Sequence, residues 1–183
     1  GNIAGIEPQD GFLAHLRKLC DDYNMVLIFD EVKTGFRLSN GGARDTYGVI
    51  PHISTYAKSL GNGFPVAAFG GSADVMSVIG GGSVTHAGTF GANAVSMAAA
   101  KAVLTILDET PVLEKLAERG KRLKNGLDKV LTEAGLPHQM SGHPNLQGFL
   151  ITEKEVKEVR DLVHHDDDMY EAICINMYNR GVW

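Results

Sequence analysis

The pattern of hydrophobic and polar positions changes its period along the early part of the chain. Residues 12–20 repeat apolar side chains at helical spacing, and Asp10 is a residue type that can cap the start of such a helix. Residues 25–29 are apolar without interruption and end at Asp30. Such a run is typical of a strand buried on both faces, as in a parallel sheet. A helix followed by a buried strand predicts an α/β repeat.

Glycine-rich segments separate the remaining predicted elements. They occupy residues 34–48, 59–65 and 80–91. Glycine and polar residues favour loops and turns over helices there. The patterns between and after them predict helices at residues 72–79, 93–107, 110–133 and 168–179, and short strands at residues 53–57, 66–69, 138–141 and 146–151. The α/β alternation stops near Asp108, so we expect one domain over residues 1–108 and a second over residues 109–183.

Composition narrows the class of protein. Of the 183 residues, 44% are hydrophobic and 21% are charged, which is an ordinary globular composition. The net charge of −5 argues against a nucleic-acid partner, because such partners favour a basic surface. No apolar run reaches the ~18–20 residues that a membrane span needs, so we expect no membrane association.

The cysteines indicate the cellular compartment of the protein, and the chain ends indicate whether the sequence is part of a longer one. Cys20 and Cys174 are the only cysteines and lie far apart in sequence, which favours a reduced, cytoplasmic protein over a disulfide scaffold. The first residues lack the basic region and apolar stretch of a signal peptide. There is no initiator Met and the chain ends abruptly at Trp183, so we interpret both ends as cuts through a longer protein.

Two residues with chemical potential follow predicted strands. Asp30 ends the first apolar run, and Lys58 follows the strand predicted at residues 53–57. Ligands of open α/β sheets bind outside the carboxyl ends of the strands, where both residues would lie. Pyridoxal phosphate (PLP) needs a lysine for its Schiff base and a carboxylate opposite its pyridine nitrogen. The pair therefore suits PLP chemistry.

Three ordered motifs make this interpretation specific. Residues 27–37 read Leu-Ile-Phe-Asp-Glu-Val-Lys-Thr-Gly-Phe-Arg and resemble the Asp-Glu-Val-x-Thr-Gly-Phe-Arg signature of class III aminotransferases. Residues 56–65 resemble the segment that carries the Schiff-base lysine in that family, and residues 86–90 resemble its Gly-Thr element. The order and spacing of these motifs match those of the family. The resemblance extends from about Glu7 to the end of the chain and is weaker after Gly135. The glutamate-1-semialdehyde aminomutase branch is especially similar, through Gly-Gly-Ala at residues 41–43 and Ala-Phe-Gly-Gly at residues 68–71.

The resemblance implies a role for each matching residue. Asp30 would bind the pyridine nitrogen, and Val32 would pack against the face of the ring. Lys58 would form the Schiff base and move the proton between substrate carbon and cofactor. Thr89 would donate its hydroxyl to the cofactor phosphate, which in this family is usually that of the neighbouring subunit, so a homodimer with its site at the interface is implied. Lys33 stands where many members have Met or Gln, and it adds a positive charge near this site.

The same resemblance implies the fold and the reaction. We expect the three-layer α/β sandwich of fold-type I PLP enzymes, with a mainly parallel sheet. Residues 1–108 would form the later half of the large PLP-binding domain, and residues 109–183 a linking helix and an incomplete C-terminal α+β domain. The implied function is a PLP-dependent aminotransferase that moves an amino group between an amine or amino acid and a keto acid or aldehyde.

Two alternatives to this function stay open. A glutamate-1-semialdehyde type of aminomutase uses the same active-site chemistry, and nothing in these residues separates it from an aminotransferase. A non-catalytic fragment, or a half-enzyme that needs a complementary chain, would also carry these motifs, because the upstream phosphate loop, the ring-stacking aromatic residue and most substrate-binding residues lie outside this sequence.

Two further motifs resemble those of other classes of site, but neither is complete. Residues 25–31 resemble a Walker B strand, but a nucleotide site of that kind needs a Gly-x-x-x-x-Gly-Lys-Ser/Thr loop, which this sequence lacks. Residues 164–168, His-His-Asp-Asp-Asp, contain metal-ligand types, but consecutive residues rarely converge on one ion and aspartate favours helix starts. We therefore expect a solvated loop that caps the next helix, and no metal site.

Overall fold

A computed structural model describes residues 2–81 and 83–182 of the chain, which form two compact units. One unit spans residues 10–115, and the other combines residues 2–9 with residues 116–182. Gly82, which belongs to the glycine-rich loop predicted at residues 80–91, lies outside the described residues, as do Gly1 and Trp183. The predicted division into residues 1–108 and 109–183 stays a prediction.

The unit of residues 10–115 is built on a three-stranded sheet in the order β1-β2-β3. Its elements are α1 (Phe12–Asp22), β1 (Ile28–Asp30), α2 (Ala43–Thr46), β2 (Ile53–Tyr56), a 3₁₀ turn (Lys58–Leu60), β3 (Ala68–Gly71), α3 (Ala73–Gly80), α4 (Ala94–Glu109) and the start of α5 (Val112–Glu133). β1 pairs with β2 in parallel, whereas β2 pairs with β3 antiparallel. The short connection from β2 to β3 explains the change of direction, because a parallel crossover needs about a dozen residues or more.

A cluster of three polar side chains joins α1 to the starts of β1 and β2. Arg17 Nη1 donates to the carbonyl of Ile50 over 2.7 Å, and its Nε donates to Asp21 over 3.1 Å. His52 Nε2 lies 3.2 Å from Asp21, while its Nδ1 accepts from the Leu27 amide at 2.9 Å. The hydrogen bond from Arg17 is the main cause that lowers the pKa of Asp21. The two strands therefore start from one anchored point.

The second unit packs helices against a hairpin. It contains most of α5, the antiparallel strands β4 (His138–His143) and β5 (Leu146–Ile151), a 3₁₀ segment (Val159–His164) and α6 (Asp167–Tyr178). Its core joins three buried residues, Leu131, Phe149 and Ile151, to partly buried side chains of α6. Asp166 caps α6 by accepting from the Met169 amide at 2.9 Å, so the predicted cap is present. The prediction of a solvated loop at residues 164–168 is wrong, because His165 is largely buried and accepts from the Ile151 amide at 3.1 Å.

Most predicted elements are present, with shifted bounds. The strand at residues 146–151 is confirmed, and α4 and α6 begin within a residue of their predicted starts. The prediction that Asp10 caps α1 is wrong, because the left-handed Gly11 occupies the cap position and no side chain caps the helix. The 3₁₀ segment at Val159–His164 is not among the predicted elements, although Glu158 and Asp161 form a capping box at its start.

Burial of β1 on both faces is also wrong for this chain. Ile28 is 54% exposed, and the strand starts there rather than at Met25, whose amide instead bonds the carbonyl of Cys20 at the end of α1. Within the described residues, β2 is the only strand that pairs with β1. One edge and much of the surface of β1 are therefore left uncovered.

Helix α5 shows where glycine is required and where it is not. It is an amphipathic helix of 22 residues, and no helix in residues 2–81 or 83–182 is long and apolar enough to cross a membrane. Gly120 is buried, and a Cβ there would overlap the carbonyl of Pro144, which precedes β5. Gly126 is exposed, and a Cβ there would meet nothing within 4 Å. Only the first glycine is demanded by packing.

We predict opposite effects for the two matched substitutions in α5. Gly120→Ala should lower the free energy of unfolding by roughly 1–3 kcal/mol, because the added methyl group overpacks the contact with Pro144. Gly126→Ala should raise it by roughly 0.5–1 kcal/mol, because alanine favours an exposed helix interior. Denaturant midpoints of the two variants check this, and equal midpoints would contradict the close approach at Gly120.

Candidate active site

The parallel pairing of β1 with β2 brings the two predicted cofactor residues to one edge of the sheet. Ile28 pairs with Ile53 and Asp30 pairs with Thr55, so the strands run level with each other. Asp30 is the last residue of β1, and Lys58 follows the end of β2 by two residues. Both are exposed at the carboxyl edge, where ligands of α/β sheets bind.

Two groups donate hydrogen bonds to the same oxygen of the Asp30 carboxylate and so orient it. Oδ1 accepts from the Val32 amide at 3.0 Å and, more weakly, from Thr55 Oγ1 at 3.5 Å. Within the part of the chain that the structure describes, no hydrogen bond occupies Oδ2. Val32 itself is half-buried. The arrangement leaves one carboxylate oxygen available to a ligand at the sheet edge.

Glu31, the next residue, has the opposite environment. Its side chain is fully buried, with 0% exposure. Oε2 accepts from the Ala43 amide at 2.8 Å and from the Thr34 hydroxyl, and Oε1 accepts from the Arg44 amide at 3.0 Å. These amides belong to the first turn of α2, whose free N–H groups favour a negative charge. No residue next to α2 caps its start with a side chain, so the buried Glu31 carboxylate serves as the cap.

Sequence reasoning missed both α2 and the separate function of Glu31. The segment of residues 34–48 was predicted as a loop, because its glycines and polar residues carry no helical period. The contact that stabilises α2 comes from a residue distant in sequence. A signal was present in Gly41-Gly42, since a glycine pair before a helix start permits close approach by another group.

Gly42 fits its position for two independent reasons. Its φ of +74° and ψ of −146° lie in a region that is essentially restricted to glycine. A Cβ built at this residue would also overlap the carboxylate of Glu31. The glycine thus lets the backbone of α2 reach the buried acid.

Lys58 lies in a strained backbone at the start of the 3₁₀ turn. Its φ is +45°, whereas the preceding Ala57 is extended at −158°. The carbonyl of Lys58 accepts from the amides of Gly61 at 3.1 Å and Asn62 at 2.8 Å. Left-handed backbone in a residue other than glycine is uncommon and concentrates at functional sites. Leu60, which is 6% exposed, anchors the turn while Lys58 stays exposed.

Thr89 is not brought into contact with the other predicted site residues. It lies in an exposed segment between α3 and α4, and no hydrogen bond joins it to Asp30 or Lys58 in the described residues. The nearest link is made by His86, whose ring contacts Phe69 edge-on at 5.1 Å. Phe69 pairs with Thr55 across the sheet, in the same row as Asp30. His86, at the start of the 86–90 segment, therefore lies beside this row.

The donor set fits an organic cofactor with an aldehyde and a basic ring nitrogen. Asp30 offers a carboxylate and Lys58 a primary amine at one sheet edge, which are the two groups that PLP requires from its protein. Among residues 2–81 and 83–182, no group of three or more His, Cys, Asp or Glu side chains could hold a metal ion.

Comparison with known proteins identifies the family. The family model for class-III aminotransferases matches residues 1–183. This chain belongs to the class III aminotransferase family.

Individual relatives match most or all of this chain. Glutamate-1-semialdehyde 2,1-aminomutase 1 of Lachnoclostridium phytofermentans is 40% identical over 100% of this chain and 43% of the relative. The solved β-phenylalanine aminotransferase of Variovorax paradoxus is 32% identical, with a TM-score of 0.89 over 100% of this chain and 43% of that one. A transaminase solved with PLP bound is 30% identical, with a TM-score of 0.70 over 80% of this chain and 35% of that one. The chain therefore spans less than half the length of these relatives.

Membership of the class III family confirms the predicted fold. The chain has the α/β fold of the fold-type I PLP enzymes. The individual roles of Asp30, Val32, Lys58 and Thr89 stay predictions.

We predict that Gly42 tolerates alanine much less than a matched glycine does. Gly42→Ala should lower the free energy of unfolding by roughly 3 kcal/mol or more, because backbone strain and overlap with Glu31 add together. Gly48→Ala is the control: its φ is also positive, at +66°, but a Cβ there meets nothing within 4 Å. That control should cost about 1 kcal/mol. Thermal and denaturant unfolding measure both, and equal costs would contradict the contact with Glu31.

Proposed function

We propose that this chain supplies the lysine and the ring-nitrogen carboxylate of a PLP-dependent aminotransferase. The observation that carries the proposal is the parallel pairing of β1 with β2, which brings Asp30 and the Lys58 turn to one sheet edge. Membership of the class III family and similarity to a transaminase with PLP bound support it. The substrates would be an amine or amino acid and a keto acid or aldehyde.

Each residue has a task that follows from its chemistry. PLP, when bound, supplies an electron-accepting ring that stabilises negative charge at the substrate carbon. The Asp30 carboxylate keeps a proton on the ring nitrogen, with its Oδ1 oriented by Val32 and Thr55. The Lys58 amine would hold the cofactor, and as a free amine it could take and return a proton at the substrate carbon. Val32 would pack against the ring.

Thr89 extends the proposal to a homodimer. Thr89 is exposed, and it makes no hydrogen bond to Asp30 or Lys58 within the described residues. A hydroxyl placed this way serves a phosphate bound by a second protomer, with the site at the interface. The free thiols of Cys20 and Cys174 accord with a reducing compartment, so the proposed location is the cytoplasm.

An aminomutase is the second candidate. The 40% identity to the Lachnoclostridium aminomutase over the whole chain favours it, whereas the Variovorax relative is an aminotransferase. The two activities differ in the fate of the amino group. Incubating the full-length protein with an amino donor and a labelled keto acid separates them, because amino groups on the added keto acid exclude a pure mutase.

We predict that Lys58 is the residue that binds PLP covalently. The full-length protein should be yellow, and borohydride reduction should fix the cofactor on the peptide that contains Lys58, as mass spectrometry can show. Lys101, a lysine of α4, serves as the internal control and should stay unlabelled. A protein that stays colourless with added PLP, or a label on another lysine, would remove the assignment; a colourless chain of this length alone would favour the non-catalytic fragment or half-enzyme.

We predict that Asp30→Asn lowers turnover by about 10²-fold or more, the magnitude for loss of one preorganised electrostatic contact. The variant keeps the shape of the side chain but removes the charge that holds the ring proton. Single-turnover kinetics with the amino donor measure the effect. Asp74→Asn, in the exposed first turn of α3, is the matched control and should leave turnover near wild type. Unchanged turnover in Asp30→Asn would count against the mechanism.

A further inference from the structure

Two adjacent acids in this chain have opposite environments. Asp30 is exposed at the sheet edge, whereas Glu31 is fully buried. A buried carboxylate is strongly unfavourable unless hydrogen bonds compensate it, and Glu31 has three donors. A fully compensated buried charge rigidifies its surroundings.

Glu31 closes a tight turn around Val32. Its backbone carbonyl accepts from the Gly35 amide at 2.8 Å, and its side chain accepts from the Thr34 hydroxyl. Val32 and Lys33 are held between these two contacts. The Val32 amide is the group that donates to Asp30 Oδ1 at 3.0 Å. The direction of that amide, and so of the Asp30 carboxylate, depends on the closed turn.

The same turn also contacts the strand that leads to Lys58. A Cβ at Gly35 would lie 2.6 Å from Cδ1 of Tyr56, so the backbone packs directly on this ring. The ring of Phe36 lies 5.3 Å from that of Tyr56. Tyr56 is the last residue of β2, two positions before Lys58. The turn that Glu31 closes therefore contacts Tyr56 as well as Asp30.

We propose that Glu31 is a positioning residue for the cofactor: its buried carboxylate and the Thr34 hydroxyl hold the 31–35 turn, and the turn aims the free oxygen of Asp30 at the ring nitrogen. This inference rests on the proposed PLP function and adds a residue pair to it. Glu31 does not touch the cofactor. It acts through Val32 and Asp30.

The physical consequence is measurable in the cofactor itself. If the turn loosens, Asp30 holds the ring proton less well. Less positive charge on the ring favours protonation at the nitrogen that joins the cofactor to Lys58. The pH midpoint of the cofactor's visible absorbance therefore moves upward, and the affinity for PLP falls. A residue that only stabilises the fold would change neither quantity.

Thr34 offers the sharpest variants because it can be changed without touching a charge. Thr34→Val keeps the shape and removes the hydroxyl donor, whereas Thr34→Ser keeps the donor and serves as the matched control. In the full-length holoenzyme, Thr34→Val should raise the absorbance midpoint and weaken PLP binding by about tenfold, the loss expected for one charge-assisted hydrogen bond. Thr34→Ser should stay near wild type. Glu31→Gln should shift both quantities further in the same direction.

A double variant tests whether the effect passes through Asp30. In an Asp30→Asn background, Thr34→Val should shift the absorbance midpoint no further, because the carboxylate that the turn orients is already gone. Thr46→Val, which removes the bond from Thr46 Oγ1 to the Gly42 carbonyl at 2.9 Å, controls for general loosening of α2. It should lower the unfolding temperature and leave the cofactor band unchanged.

The outcomes separate this inference from the proposed function. If the wild-type protein binds no PLP, the proposed function fails. If wild type binds PLP and Thr34→Val lowers only the unfolding temperature, with the absorbance midpoint and PLP affinity unchanged, the positioning role of Glu31 is overturned and the proposed function stands. An additive shift in the Asp30→Asn background would also overturn it.

Discussion

The backbone hydrogen bonds between β1 and β2 are the interaction on which the rest of the site depends. They set three residue pairs in parallel register and continue beyond the strand, where the Glu31 amide donates to the Thr55 carbonyl at 2.9 Å. Parallel pairing fixes which ends of the strands coincide. A carboxylate and an amine from distant parts of the chain then share one edge without any contact between them.

The second organising feature is that the neighbouring acids Asp30 and Glu31 have different environments and different contacts. Asp30 is the last residue of β1 and Glu31 directly follows it, and the two side chains have opposite environments. One faces the open edge, and the other is surrounded by the amides of α2 and the Thr34 hydroxyl. Glu31 fixes the backbone at the end of β1 by binding the amides of α2. Asp30, on the same stretch of backbone, stays exposed and can contact a ligand.

The parts of this structure that follow from local pattern were predictable, and the parts made by distant contacts were not. The strand at residues 146–151 and the start of α4 at Asn93, whose side chain accepts from two amides of its helix, carry their signals within a few residues. Helix α2 has no helical period and no capping side chain of its own, because its cap comes from Glu31; its one local signal is the glycine pair Gly41-Gly42. The exposure of β1 was also unpredictable. An apolar run indicates that a strand can be buried, but it does not show which elements pack against that strand. The order of the motifs indicated the family, whereas the left-handed backbone of Lys58 could be found only in the structure.

The close approach of Gly42 to Glu31 has an evolutionary consequence. Any residue with a Cβ at position 42 would enter the space of the carboxylate, and a shorter acid at position 31 would no longer reach the amides of Ala43 and Arg44. The two positions cannot vary independently. A lineage that changes one of them must pass through a destabilised intermediate or change both together, so the pair is expected to be inherited as a unit.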